Sequence, residues 1–237
     1  MSNGLITVEF IFLCSIQIFT IVFSLIVFMS SLKRYLNTDK SEVFLRKSVK
    51  YFTFILITIA CAGSSALFVN IFFFITSDGI VSGYLYGSVI TSMFVNIFCA
   101  WQFLNYLIHP ERRITKYPIG ICVTIGIVLT WFYPGVMTTV FFSPIIETPF
   151  IYIYLLGLYV FVYILFAFEF LRHGGKSFEK KEKYRFFCLG VSALLSLFMF
   201  LGFFWGLIYA WLFILFSMIF LYLGYNFPKF FQKALKI

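Results

Sequence analysis

The feature that most constrains this chain is a series of apolar runs, each long enough or nearly long enough to cross a bilayer. A hydrocarbon core takes about 20 residues of helix. Seven runs approach or exceed that length: 5–31, 49–75, 81–108, 118–142, 150–171, 184–203 and 207–225. Of the 237 residues, 62% are hydrophobic and 11% charged, whereas a soluble domain carries about 25% charged residues. A soluble globule, a disordered chain and a nucleic-acid-binding domain are thereby excluded. The runs are continuous and lack the alternation of a transmembrane barrel. The expected fold is an all-α membrane protein, a seven-transmembrane-helix bundle over 1–226 with a tail at 227–237. The first run starts at Leu5 with no basic residue before it and is too long for a signal-peptide core, so it reads as a retained span.

Charge fixes the expected orientation. All 18 Lys and Arg fall in four segments, Lys33–Lys50, Arg112–Lys116, Arg172–Arg185 and Lys229–Lys236, which alternate with Glu9, Asp78 and Glu147 on the other side. Cytoplasmic loops concentrate Lys and Arg. The N-terminus is therefore expected outside, the C-terminus in the cytoplasm, and the chain in the cell membrane as a multi-pass protein with the lipid bilayer as its first partner. An even number of spans would scatter the bases over both sides. The net charge of +9 belongs to these inner loops rather than to a nucleic-acid surface.

In the tail, Pro228 suits the first turn of a new helix. Phe227, Phe230, Phe231 and Leu235 fall on one face with the lysines elsewhere, the pattern of a short amphipathic helix on the inner leaflet.

Seven spans can divide as three, one and three. Span 2 opens Lys50-Tyr51-Phe52 and span 6 opens Lys183-Tyr184-Arg185. Span 3 closes Phe103-Leu104-Asn105-Tyr106 and reaches Pro110; span 7 closes Phe220-Leu221-Tyr222-Leu223 and reaches Pro228. The order of features matches although the spacings differ, and it predicts a parallel 3+1+3 repeat.

Catalytic chemistry is missing from the sequence. The five cysteines lie in apolar runs with no CxxC spacing, and the two histidines, His109 and His173, sit at helix ends. No GxSxG and no three-ligand set at one depth occurs, so no metal, no cofactor and no enzymatic activity are expected. Span 7 lacks the lysine that a retinal Schiff base requires. Glu169 stands three residues from Arg172, placed to pair with it at the headgroups.

What remains is a set of polar side chains in the spans. Ser88, Thr91, Ser92, Asn96, Cys99, Gln102, Tyr106 and His109 share one side of span 3. Gln17 lies in span 1, Asn70 in span 2, and Tyr159 and Tyr163 in span 5. Amides and phenols in hydrocarbon need partners, so Gln17, Asn70, Asn96, Tyr159 and Tyr163 are expected to face the bundle interior as a ligand cavity. Polar glue between packed helices is the other reading of the same residues. Arg112, Arg113, Lys180 and Lys181 are the expected contacts for a cytoplasmic partner.

The short outer loops, basic inner loops and closing pattern Leu223-Gly224-Tyr225-Asn226-Phe227-Pro228 resemble the N-terminal seven-helix sensor region of bacterial and archaeal histidine kinases. The resemblance covers the plan of nearly the whole chain. It implies a sensor-like or receptor-like protein that binds a small or lipidic ligand. No kinase follows in this chain, so the expected output passes through a separate cytoplasmic signalling partner. Two alternatives stand beside it. One is a transporter of a small neutral solute on the SWEET plan, without that class's helix prolines. The other is a membrane assembly subunit with no ligand.

Overall fold

The computed structural model describes residues 2–108, 117–140, 143–147, 149–201 and 207–235. In chain order the helices are α1 (Ser2–Asn37), α2 (Val43–Thr76), a short α3 (Gly79–Leu85), α4 (Gly87–Ile108) and α5 (Tyr117–Phe132). Strands β1 (Val136–Val140) and β2 (Ser143–Glu147) follow, then α6 (Pro149–Lys176), α7 (Lys180–Leu197), α8 (Leu207–Asn226) and α9 (Lys229–Ala234).

Five helical stretches among the described residues are long and apolar enough to cross a membrane: Val8–Asn37, Val43–Thr76, Gly79–Leu107, Ile153–Lys176 and Ile208–Asn226. Helix α5 is apolar but shorter. Large apolar side chains also point outward, with Phe19 66%, Met29 63% and Ile121 62% exposed. Water would not tolerate contiguous apolar surface on this scale, and hydrocarbon does. The protein is an all-α, multi-pass, membrane-embedded bundle.

The long helices close into a ring. Helix α2 packs on α1 and α4, α4 on α6, α7 on α6 and α8, and α8 returns to α1. Helix α5 stands outside this ring, against α4 and α6. Its seat on α4 depends on Gly126, where an added Cβ would lie 2.4 Å from the ring of the fully buried Phe94.

The connection at Ser77-Asp78-Gly79 is a turn, which Asp and Gly both favour. Ser77 is left-handed, with φ 56°, and the Asp78 carboxylate caps α3 by accepting from the N–H groups of Ile80 and Val81 at 3.1 and 3.0 Å. In the preceding connection, between α1 and α2, the Asp39 carboxylate accepts from the Ser41 N–H at 3.0 Å.

The fourth run departs from expectation. Instead of one helix over 118–142, the helix ends at Phe132 and the chain turns into a two-stranded antiparallel hairpin, with Val136 opposite Glu147 and Val140 opposite Ser143. Pro134 supplies no N–H, and its ring excludes the helical position of a carbonyl one turn back. The β-branched Val136, Thr138, Thr139 and Val140 then suit a strand. The hairpin lies on α3, and Gly83 allows this: a Cβ there would lie 1.8 Å from the Gly135 carbonyl oxygen.

Two other boundaries shift. The sixth run begins its helix at Lys180, before the apolar stretch, because Lys and Glu are good helix formers. It leaves the α conformation after Leu197 for a 3₁₀ turn over Phe198–Leu201. Residues 203–206, which separate the sixth and seventh runs, lie outside the described residues. The tail helix is six residues long rather than spanning 227–237. Phe227 precedes it in a left-handed conformation, φ 43°, buried and edge-on to Phe231 at 5.6 Å between ring centroids. Lys236 lies outside the described residues.

Basic side chains tie down the end of the bundle that carries them. Arg185 donates to the last carbonyls of α8, those of Gly224 and Tyr225, at 3.3 and 3.4 Å, and pairs with Glu182 at 2.8 Å. These carbonyls have no intrahelical partner and carry the negative end of the helix dipole. Arg34 sits over the Tyr225 ring at 4.9 Å, Arg46 over Tyr35 at 5.0 Å and Lys47 over Tyr106 at 5.4 Å, contacts that hold a cation beside an aromatic face. Glu169 meets Arg172 at 3.7 Å, as its spacing predicts, and also lies 3.6 Å from His173.

Candidate functional site: a polar chain through the bundle centre

A line of side-chain hydrogen bonds crosses the interior through five helices. It starts on α2, where the Thr58 hydroxyl donates to the Ile55 carbonyl of its own helix at 2.8 Å. The Asn96 amide on α4 then donates to the Thr58 hydroxyl at 2.9 Å and to the Ile55 carbonyl at 3.2 Å. The Asn96 oxygen accepts from the Tyr163 hydroxyl of α6 at 2.5 Å. Because a carbonyl can only accept, the Ile55 contact fixes which end of the Asn96 amide faces which partner.

Tyr163 spends its proton on Asn96, so toward Tyr159 it can only accept. Tyr159 is one turn away on the same helix, its ring stacked on that of Tyr163 at 4.1 Å, and it shares hydrogen bonds with Tyr163 and with Ser196. On α7 and α8 the line continues from Ser196 to Ser217 at 2.7 Å, and from Ser217 to the Ser192 hydroxyl and carbonyl at 3.0 and 2.8 Å. Asn96, Tyr159, Tyr163, Ser192, Ser196 and Ser217 are all buried. Each polar side chain along this line has found a partner, the condition for a polar network in an apolar interior.

The line borders an interior cavity of about 40 Å³, walled by Asn96, Tyr159, Tyr163, Ser196 and Ser217, with Trp211 and several methionines completing it. A void of that size holds a water molecule; pockets for drug-sized ligands are about 300–1,000 Å³. No carboxylate, lysine or histidine lines it among the described residues. The chemistry on offer is neutral hydrogen bonding, with both donors and acceptors.

The five predicted cavity residues divide into two groups. Asn96, Tyr159 and Tyr163 meet at the centre. Gln17 and Asn70 meet each other instead, the Asn70 amide donating to the Gln17 oxygen at 3.2 Å between α1 and α2. Both are fully or almost fully buried, and the Gln17 nitrogen and Asn70 oxygen have no hydrogen-bond partner. The polar side of the third run divides too: Ser92 and Asn96 reach the central cavity, while Gln102 and Tyr106 line a groove on the outside of the ring. His109 lies outside the described residues.

Sequence reading missed Ser192, Ser196 and Ser217. A signal was present, since Ser192 and Ser196 are one helical turn apart. Serine is common in membrane helices as packing glue, and nothing in the spacing ties α7 to Ser217. Of the expected partner contacts, Lys180 and Lys181 are exposed at the start of α7, and Arg112 and Arg113 lie outside the described residues. Among the described residues, no three His, Cys, Asp or Glu side chains gather where they could hold a metal.

No model of a known protein family matches the chain, and no curated protein resembles it in sequence beyond chance.

Proposed function

We propose that the chain is a sensor-like, receptor-like membrane protein with no enzymatic activity. Seven helices cross the bilayer, with the N-terminus outside and the C-terminus in the cytoplasm. A small or lipidic ligand binds at the bundle centre, and the signal leaves through a separate cytoplasmic partner at the basic loops. The two spans beyond the five long apolar helices are α5 and α7. The 16 residues of α5 reach about 24 Å at 1.5 Å per residue; the apolar part of α7 begins only after Arg185, so its crossing includes the 3₁₀ turn Phe198–Leu201 that follows.

The observation that carries the ligand reading is the polar line bordering a water-sized void. Asn96 and Tyr163 join α4 to α6, a place where the first three ring helices meet the last three; α1 on α8 is another. A ligand larger than water that satisfies Asn96 and Tyr163 must part α4 from α6. Binding and helix movement are then one event, and the ligand's preference for the parted state drives it. The cytoplasmic ends of those helices, with Lys180 and Lys181 just beyond α6, would carry the change to the partner.

A specific observation also favours the transporter reading. The contact of α1 with α8 mirrors that of α4 with α6, the pattern expected if the two triplets form a parallel repeat about an axis along the membrane normal. Each triplet carries a polar contact between its second and third helices, Thr58 with Asn96 and Ser192 with Ser217.

A thermal-shift screen of the purified protein against neutral polar metabolites and lipids tests the site, repeated with Asn96→Ala and Tyr163→Ala. Stabilisation by a compound, lost in both variants and without flux in proteoliposomes, is the result expected of a sensor. Flux of the compound makes the protein a transporter. Stabilisation that survives both substitutions removes the central site. A membrane protein co-purifying in fixed stoichiometry, with no ligand effect, makes it an assembly subunit.

A further inference from the structure

A second cavity lies on the outside of the ring, remote from the polar line in its lining. It is an open groove of about 1,080 Å³ between α2 and α5, floored by α4. Its walls are Val95 and Phe98 of α4 and Ile121, Val123 and Ile125 of α5, with Tyr51 at one end. Ile121 and Ile125 are about half exposed or more, at 62% and 47%. The helices are those of a membrane-embedded bundle, so the groove opens sideways into lipid rather than water. Gln102 and Thr124 add polar atoms to a lining that is otherwise mainly aromatic and aliphatic.

One end of the groove is chemically different from the rest. Lys47 stands there, in the first turns of α2, its ammonium 5.4 Å from the centroid of the Tyr106 ring. Tyr106 stacks on Tyr51 at 5.5 Å, and Tyr51 meets Phe98 edge-on at 6.4 Å, so the cation and the apolar wall form one continuous surface. Among the described residues that line the groove, Lys47 is the charged one and no acid is present. Arg46 and Lys50 flank Lys47 in the sequence, and both are basic. This end belongs to the face of the bundle where the Lys and Arg gather. A long, mainly apolar slot with a cation at its interfacial end complements one kind of molecule: a lipid with an acyl chain and an anionic headgroup.

We infer that the α2–α4–α5 groove is a binding site for a single anionic phospholipid. Its acyl chain lies along Phe98, Val95, Ile121 and Ile125, and its phosphate is held at Lys47. A lysine near an anionic lipid surface contributes about 1 kcal/mol, which is about fivefold in affinity.

The test is native mass spectrometry of the delipidated full-length protein, titrated separately with phosphatidylglycerol and phosphatidylcholine. The expected result is one tightly retained phosphatidylglycerol and weaker retention of phosphatidylcholine. Lys47→Gln should lower phosphatidylglycerol retention about fivefold, without lowering phosphatidylcholine retention. Thr124→Trp, an exposed α5 position on the groove wall, should block both lipids by filling the slot. Lys229→Gln, exposed on α9, should change neither. Equal retention of the two lipids by the wild type, or phosphatidylglycerol retention undiminished in Lys47→Gln, overturns the assignment. Since Lys47 is exposed, its substitution keeps the test valid even if the tryptophan variant does not fold.

Discussion

The Tyr163 hydroxyl donates to the Asn96 side-chain oxygen at 2.5 Å, joining α6 to α4 inside an apolar bundle. Asn96 also holds Thr58 and the Ile55 carbonyl, so one amide ties three helices together. Asn96→Ala should therefore leave the Tyr163 hydroxyl and the α2 acceptors with fewer partners at once, at a cost of about 1–2 kcal/mol. Tyr163→Phe removes the bond to Asn96 and the one accepted from Tyr159 but leaves Asn96 its two α2 partners, and should cost less. Denaturation of the detergent-solubilised variants, read by circular dichroism, checks the order. Equal loss in both would mean that the amide acts through packing rather than through its hydrogen bonds.

Gln17 and Asn70 make a different case, because their pairing is incomplete. Gln17→Leu or Asn70→Leu alone should cost about 1–3 kcal/mol, since each strands the remaining buried amide. The double substitution should be close to neutral, because both polar groups leave together. A double-mutant cycle on unfolding free energy measures this directly. Two additive losses would show that the amides contribute independently.

Close approach at Gly126 sets the position of α5. Gly126→Ala should destabilise the protein by about 1–3 kcal/mol, because the new methyl meets a buried ring that has nowhere to go. Gly157→Ala is the matched control: nothing lies within 4 Å of its Cβ, and Ala in an exposed helix position should stabilise by about 0.5–1 kcal/mol. Unfolding midpoints of the two variants should move in opposite directions.

The proposed topology can be read with a membrane-impermeant maleimide on a variant whose five cysteines are replaced. Asp78→Cys should label on intact cells. Phe178→Cys, in the connection between α6 and α7, should label only after permeabilisation. Both positions are exposed. Labelling in the reverse sense would invert the orientation, and labelling of both on intact cells would remove one of the spans between them.

Much of this protein was legible in the order of its residues. The apolar runs define the membrane helices because a bilayer core admits little else, and Asp78 announces its turn because a carboxylate there can cap the next helix. The fourth run misled, since hydropathy reports transfer into lipid and is blind to Pro134 ending a helix and to β-branched residues pairing as a hairpin. Individual polar residues were legible as well: Asn96, Tyr159 and Tyr163 stand out from their surroundings. Their grouping was not. Helical periodicity gives the face a side chain occupies, but neither the partner helix nor its depth. Only packing could send Gln17 to Asn70, bring Ser196 and Ser217 to Tyr159, and part α2 from α5 to leave a groove beside Lys47. Composition and periodicity are local properties, and so the sequence determined a helical membrane bundle. Which helices touch depends on side-chain shapes meeting across the whole ring, and that was decided by the tertiary structure alone.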